Sequence, residues 1–220
     1  MEASRVPPRE ADIAPDEDPT EGATGSWTPS DPAPLGLAGF ATTTFALSII
    51  NANLVSATAL PIVAIMALTF GGIAQTIAGI WEFRTGNTFG ATVFTAYGTF
   101  WISFFFLVVV ALPLVPKTEA DAGIGLYLWA WSIFTILILV ASLRTTGAIV
   151  VTLLLLVITF VLLAIGYSSL VGTTSATNGA LKLGGYVGIA TAIAAWYVSL
   201  AGLSSATFGR QILPVFPLTR

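Results

Sequence analysis

Few side chains in the apolar part of this chain could meet a polar solute, and none could run covalent chemistry of a familiar kind. The sequence has no histidine and no cysteine. That removes the imidazole of a Ser-His-Asp triad, the thiolate nucleophile, and the nitrogen and sulfur donors of ordinary zinc, copper and haem sites. No metal and no cofactor is expected, and no enzyme either, since the few carboxylates lie at helix ends or in the N-terminal segment. Amides and hydroxyls remain. Gln75 lies in a long apolar run, flanked four residues away by Gly71 and Gly79; an amide in lipid is costly unless paired, which makes it a functional suspect. Glu82, seven residues on, shares that face, though at a helix end it can instead pair with Arg84 or sit among headgroups. Phe40, Thr44, Ser48 and Asn51 recur at spacings of four, four and three, and so share one helix face. Thr88, Thr92, Thr95, Thr99 and Ser103 repeat the pattern further on. Such groups can replace part of the water shell of a small solute along a wet path. Their alternative use is to tie helices together or to bond back to their own carbonyls.

Positioning these groups calls for helices that live in lipid. Of 220 residues 55% are hydrophobic and only 9% charged, where a soluble domain carries about 25% charged residues. Apolar runs of about 20 residues, long enough to cross a bilayer, recur at 35–54, 58–81, 90–115, 123–143, 147–171 and 180–205. The expected fold is therefore an all-α integral membrane protein with six transmembrane helices. In the last run Gly184, Gly188, Thr191, Ala195, Ser199 and Gly202 line one face; this reads as a close-packing seam.

Charge divides the chain. Residues 1–31 hold eight acids and two arginines, while 32–220 hold three acids and six bases. Residues 1–30, with five prolines, the run Asp16-Glu17-Asp18 and Trp27 as sole aromatic, cannot bury enough apolar area to offset ordering, so a disordered acidic tail is expected. The transmembrane domain follows over 31–207, and 208–220 reads as a short C-terminal tail. Arg5, Arg9, Arg84, Arg144, Arg210 and Arg220 fall on one side of a six-helix arrangement and Lys117 and Lys182 on the other. By the positive-inside rule both termini are cytoplasmic. At the boundary, Asp31 reads as the N-cap of the first helix, with Pro32 and Pro34 in its first turn, where a missing amide hydrogen costs little.

The stretch Asp31-Pro32-Ala33-Pro34-Leu35-Gly36-Leu37 resembles the opening signature of the acetate uptake transporter family, the succinate–acetate/proton symporters, which normally begins with asparagine where Asp31 stands here. Residues 81–101, with Trp81-Glu82, Gly86-Asn87-Thr88-Phe89-Gly90, Tyr97-Gly98 and Phe100-Trp101, are similar to that family's second signature. Phe208-Gly209-Arg210 with Leu213-Pro214 resembles its C-terminal end. The resemblance implies a six-helix protomer, a ring-shaped homo-hexamer in the plasma membrane, and a separate path through each protomer. It implies proton-coupled uptake of acetate and other short monocarboxylates, with succinate in some members, and no nucleic-acid partner. It also implies a narrow point at Phe40, Tyr97 and Leu156. Thr44, Ser48, Asn51, Gln75 and Glu82 are the polar candidates along the way. Tyr97 lies nearly opposite Thr95 and Thr99 on one helix, so both cannot face the same narrow pore. A passive anion or small-solute channel and a non-transporting scaffold are the alternatives.

Overall fold

The computed structural model describes Trp27 and residues 29–218. The expected acidic tail at 1–30 therefore lies outside the described residues, apart from Trp27, Pro29 and Ser30. Among the described residues, six helices are long and apolar enough to cross a membrane. They are α1 (Ala33–Asn51), α2 (Ala57–Thr85), α3 (Thr88–Leu114), α4 (Lys117–Ser142), α5 (Gly147–Ser168) and α6 (Gly179–Phe208).

Each start has a local cause. The α1 cap falls one residue later than the sequence led us to expect: Pro32 occupies it, and its carbonyl accepts from the Gly36 amide at 3.2 Å. Asp31 stands one step back, its Oδ1 accepting from the Ala33 amide at 2.9 Å. That bond to a donor two residues on is an Asx-type turn, and the cap residue itself offers no side-chain acceptor. Asn87, Thr146 and Asn178 cap α3, α5 and α6, accepting from the amides of Gly90, Ile149 and Leu181. The α4 helix begins earlier than the apolar run because Pro116 precedes it and Lys117 pairs with Asp121 at 2.5 Å across one turn. Gly86 (φ 78°) ends α2 in the left-handed conformation that glycine adopts without strain, and so allows the tight turn into α3.

The expectation of a plain helix over 58–81 is modified by a widened, π-helical stretch at Ala67–Ala74. Here α1 and α2 approach backbone to backbone: a Cβ on Gly39 would stand 2.5 Å from the Phe70 carbonyl oxygen. Only glycine fits, and such contact is how helices gain van der Waals attraction where the lipid gives them no hydrophobic drive. A second widened stretch, Leu107–Ala111, precedes a tight turn over Leu112–Leu114 that contains Pro113.

Around the bundle the helices neighbour one another in chain order, α1 through α6, and α6 closes on α1 along an extensive seam. The α6 seam divides its duties. Gly185 packs on Ala52 and Gly188 on Ser48 of α1, Thr191 reaches Thr159 of α5 at 3.1 Å, and Ser199 Oγ donates to the Pro34 carbonyl at 2.7 Å. The α3–α4 seam is the slightest in backbone terms and is bridged by side chains. Tyr97 Oη donates to Thr135 Oγ1 at 2.9 Å, and the Ser103 and Tyr127 hydroxyls lie 2.7 Å apart. Phe40, Tyr97, Phe100, Trp101, Leu156 and Phe160 fill the centre.

Candidate functional site

Two cavities penetrate the ring from opposite ends. The first, about 230 Å³, is lined by groups at the ends of helices nearest the chain termini: Asp31 before α1 with Ala33 and Pro34 in it, the Asn87 cap and Gly90 of α3, Thr146 at α5 and Gly202 of α6. The second, about 120 Å³, is lined at the far end by Asn51, Ala57, Leu112, Ile124 and Tyr167. Each greatly exceeds the roughly 10–15 Å³ that one water needs. Phe40 and Leu156 border both cavities, and Tyr97 borders the first. All three are buried.

Tyr97 is held from several directions. Its ring lies 5.8 Å from that of Phe40, 6.0 Å from Trp131 and 5.9 Å from Phe134. Its hydroxyl points at α4, where Thr135 in turn donates to the Trp131 carbonyl at 2.7 Å. The ring faces the first cavity while the oxygen is engaged elsewhere.

Polar groups sort by cavity. Thr44, Ser48 and Asn51, which share a face with Phe40, all line the far cavity. Thr44 Oγ1 is buried there without a partner. On the termini side the lining includes Gln75, which is 1% exposed and whose Oε1 has no hydrogen-bond partner. A buried amide oxygen left unpaired costs about 1–3 kcal/mol, a standing deficit that a solute or a bound water would relieve. No lysine or arginine is among the described residues lining either cavity.

Other candidates fall outside these walls. Of the opening motif, Asp31, Ala33 and Pro34 line the first cavity, whereas Pro32, Leu35 and Gly36 do not. Gly36 instead sits against the Phe94 ring. The hydroxyl stripe of α3 lines neither cavity. Thr92 and Thr99 bond back to the carbonyls of Thr88 and Ala96, and Thr95 packs against Gly79 of α2. The opposition of Tyr97 to this stripe is thereby resolved, with Tyr97 facing inward.

Glu82 overturns the expectation of a local ion pair with Arg84 or a place among headgroups. It is 1% exposed, and its Oε2 accepts from Thr85 Oγ1 and Asn87 Nδ2, both at 3.0 Å. Its Oε1 has no partner. Packing decides this, because Gly90 lets α3 settle directly on the carboxyl; a Cβ there would stand 2.8 Å from Oε1. Asn87 and Gly90 both line the first cavity, so Glu82 stands just behind its wall.

The C-terminal segment also reaches the first cavity. Gly147 and Ala148 donate their amides to the carbonyls of Phe216 and Val215 at 2.7 and 3.2 Å, and Leu218 donates to the Thr145 carbonyl at 3.0 Å. Tyr197 Oη donates to the Pro214 carbonyl at 2.7 Å. Val215 lines the cavity beside Thr146. Sequence reasoning missed both residues, although Leu213-Pro214 had stood out as a motif.

Comparison with known proteins places this geometry among transporters. A bacterial succinate-acetate/proton symporter, SatP of Escherichia coli K12, is 35% identical over 197 residues, covering 87% of this chain and 97% of its own. Acetate permease A of Emericella nidulans is 38% identical over 195 residues, and this chain spans 65% of that protein's length. The solved structure of the bacterial acetate channel SatP superposes with a TM-score of 0.75 at 31% identity, covering 86% of this chain and 99% of that one. A model of the GPR1/FUN34/yaaH family matches residues 21–220, and the chain belongs to that family.

Proposed function

We propose that this protein carries acetate and related short carboxylates, succinate among the larger ones, across the plasma membrane through each protomer. One observation carries the reading: two cavities from opposite ends of the bundle meet at the same two apolar side chains, Phe40 and Leu156. With Tyr97 against Phe40 these form a neck. A carboxylate loses part of its water there, and dehydration without compensation is expensive. The hydroxyls of Thr44 and Ser48 before the neck and the amide of Gln75 beyond it supply substitute partners. The described residues of the walls include no fixed cation that would hold the anion in place, which favours passage over tight binding.

Proton coupling extends the same reading. An apolar neck is crossed more cheaply by the neutral acid than by its anion, and Glu82 is the buried carboxyl nearest the termini-side wall. The cytoplasmic placement of that side follows from the distribution of basic residues, and a hexameric ring from the family resemblance. A second reading, an uncoupled anion channel, is favoured by the similarity to a protein of known structure described as an acetate channel. Labelled acetate uptake into reconstituted vesicles, with and without an imposed pH gradient, tests both. Coupled transport predicts accumulation driven by the gradient, the channel predicts flux governed by membrane potential, and a scaffold predicts none.

A further inference from the structure

We propose that the C-terminal segment is part of the transport path, with Val215 forming one wall of the termini-side cavity and limiting the size of the solute that passes it. The inference rests on the transport reading above and gives a role to a segment that lies outside the six helices.

The segment is fixed in place. Its carbonyls at Val215 and Phe216 and its amide at Leu218 are all engaged by the turn between α4 and α5, and Thr146 and Pro217 form an antiparallel bridge. Pro214 and Pro217 lack amide hydrogens, so the strap leaves few backbone donors unpaired beside the cavity. Tyr197 anchors its start from α6. The strap thus spans from α6 to the first turn of α5, closing the space between two helices whose ends border the path.

Backbone conformation decides which side chain faces in. Phe216 has φ 56°, a left-handed conformation that a bulky residue adopts only where its surroundings impose it. The ring is 64% exposed, while Val215 is half-buried and lines the cavity. Asp31, Pro34 and Gly202 line the same cavity. Those three are short or rigid, whereas the two valine methyls can be enlarged or trimmed without disturbing a helix.

The test uses the full-length chain in vesicles. Val215→Ala removes two methyls and is expected to raise uptake of a four-carbon monocarboxylate relative to acetate by about tenfold, the usual worth of such a change in an apolar pocket. Val215→Phe is expected to lower acetate uptake by a similar factor. Phe216→Asn, which tolerates a left-handed backbone, is expected to leave the ratio unchanged, because the ring it removes points away from the path. The chain has no cysteine, so Val215→Cys supplies a single thiol. A small methanethiosulfonate reagent should then block acetate uptake, and acetate should slow the labelling, a protection that a purely structural role would not produce. Normal acetate uptake with an unmoved size ratio in both Val215→Ala and Val215→Phe, or full labelling of Val215→Cys with no loss of uptake, overturns the assignment alone. If the unaltered chain takes up no acetate, the transport reading falls and the assignment with it.

Discussion

Tyr97→Phe separates a steric neck from a chemical one. The substitution keeps the ring beside Phe40, Trp131 and Phe134 and deletes only the oxygen that donates to Thr135. Thr135 keeps its own bond to the Trp131 carbonyl, so no buried donor is orphaned and the loss approximates one net hydrogen bond, about 1 kcal/mol. In a chain of this size that lowers the melting temperature by about 2–4 °C. Flux should hardly change, because the oxygen faces α4 and not the cavity; acetate uptake per assembled protein should stay within about twofold. Had the hydroxyl met the carboxylate, the lost bond to a charged group would be worth about 1.5–3 kcal/mol, a tenfold to hundredfold fall in rate. Initial uptake rates in vesicles, normalised to folded protein, decide the matter. A tenfold loss with a melting temperature near that of the unaltered chain would refute the reasoning.

Leu156→Ala and Phe40→Ala should raise succinate uptake relative to acetate, because both side chains border both cavities; competition between labelled acetate and unlabelled succinate measures it, and an unchanged ratio in assembled variants moves the neck elsewhere. Gly90→Ala should destabilise by about 1–3 kcal/mol through overpacking, since its Cβ would meet Asn87 Nδ2 at 2.5 Å and the Glu82 carboxyl at 2.8 Å; thermal unfolding in detergent that matches the unaltered chain would show that α3 can retreat. Glu82→Gln keeps an acceptor for Thr85 and Asn87 and should assemble normally while flattening the dependence of uptake on the pH gradient. Glu82→Ala, which strands the Asn87 amide donor, should lose about 1–3 kcal/mol of stability as well. An intact pH response in Glu82→Gln would remove this carboxyl from the proton's route.

The six helices were legible because lipid demands long apolar runs, and runs of that length are hard to mistake. The shared face of Phe40, Thr44, Ser48 and Asn51 was equally legible, since α1 is an uninterrupted α-helix and its spacing maps directly onto the far cavity. Legibility failed where tertiary packing chose between equals. Thr95 and Thr99 had the same credentials as Thr44, but Gly79 leaves room for Thr95 against α2, and neither threonine lines a cavity. Glu82 looked like a headgroup residue because its helix ends three residues later; the deciding partner is the missing side chain of Gly90 on the next helix. Val215 could not be found from periodicity at all, since a strap held by backbone bonds to Thr145, Gly147 and Ala148 leaves no spacing pattern.

The closure of α6 on α1 has a consequence for how the protein is made. Of the six described helices α1 is synthesised before the others and α6 after them, and 127 residues separate the end of one from the start of the other, from 52 to 178. At about 5–20 residues per second that gap is on the order of ten seconds. Throughout it α1 has emerged while the partners of its small and hydroxylated positions have not: Gly185 for Ala52, Gly188 for Ser48, Trp196 for Thr42, Ser199 for the Pro34 carbonyl. During biogenesis the helix whose first turn lines the termini-side cavity therefore waits the longest for its neighbour, and membrane-insertion machinery or lipid must stand in for α6 until that helix emerges.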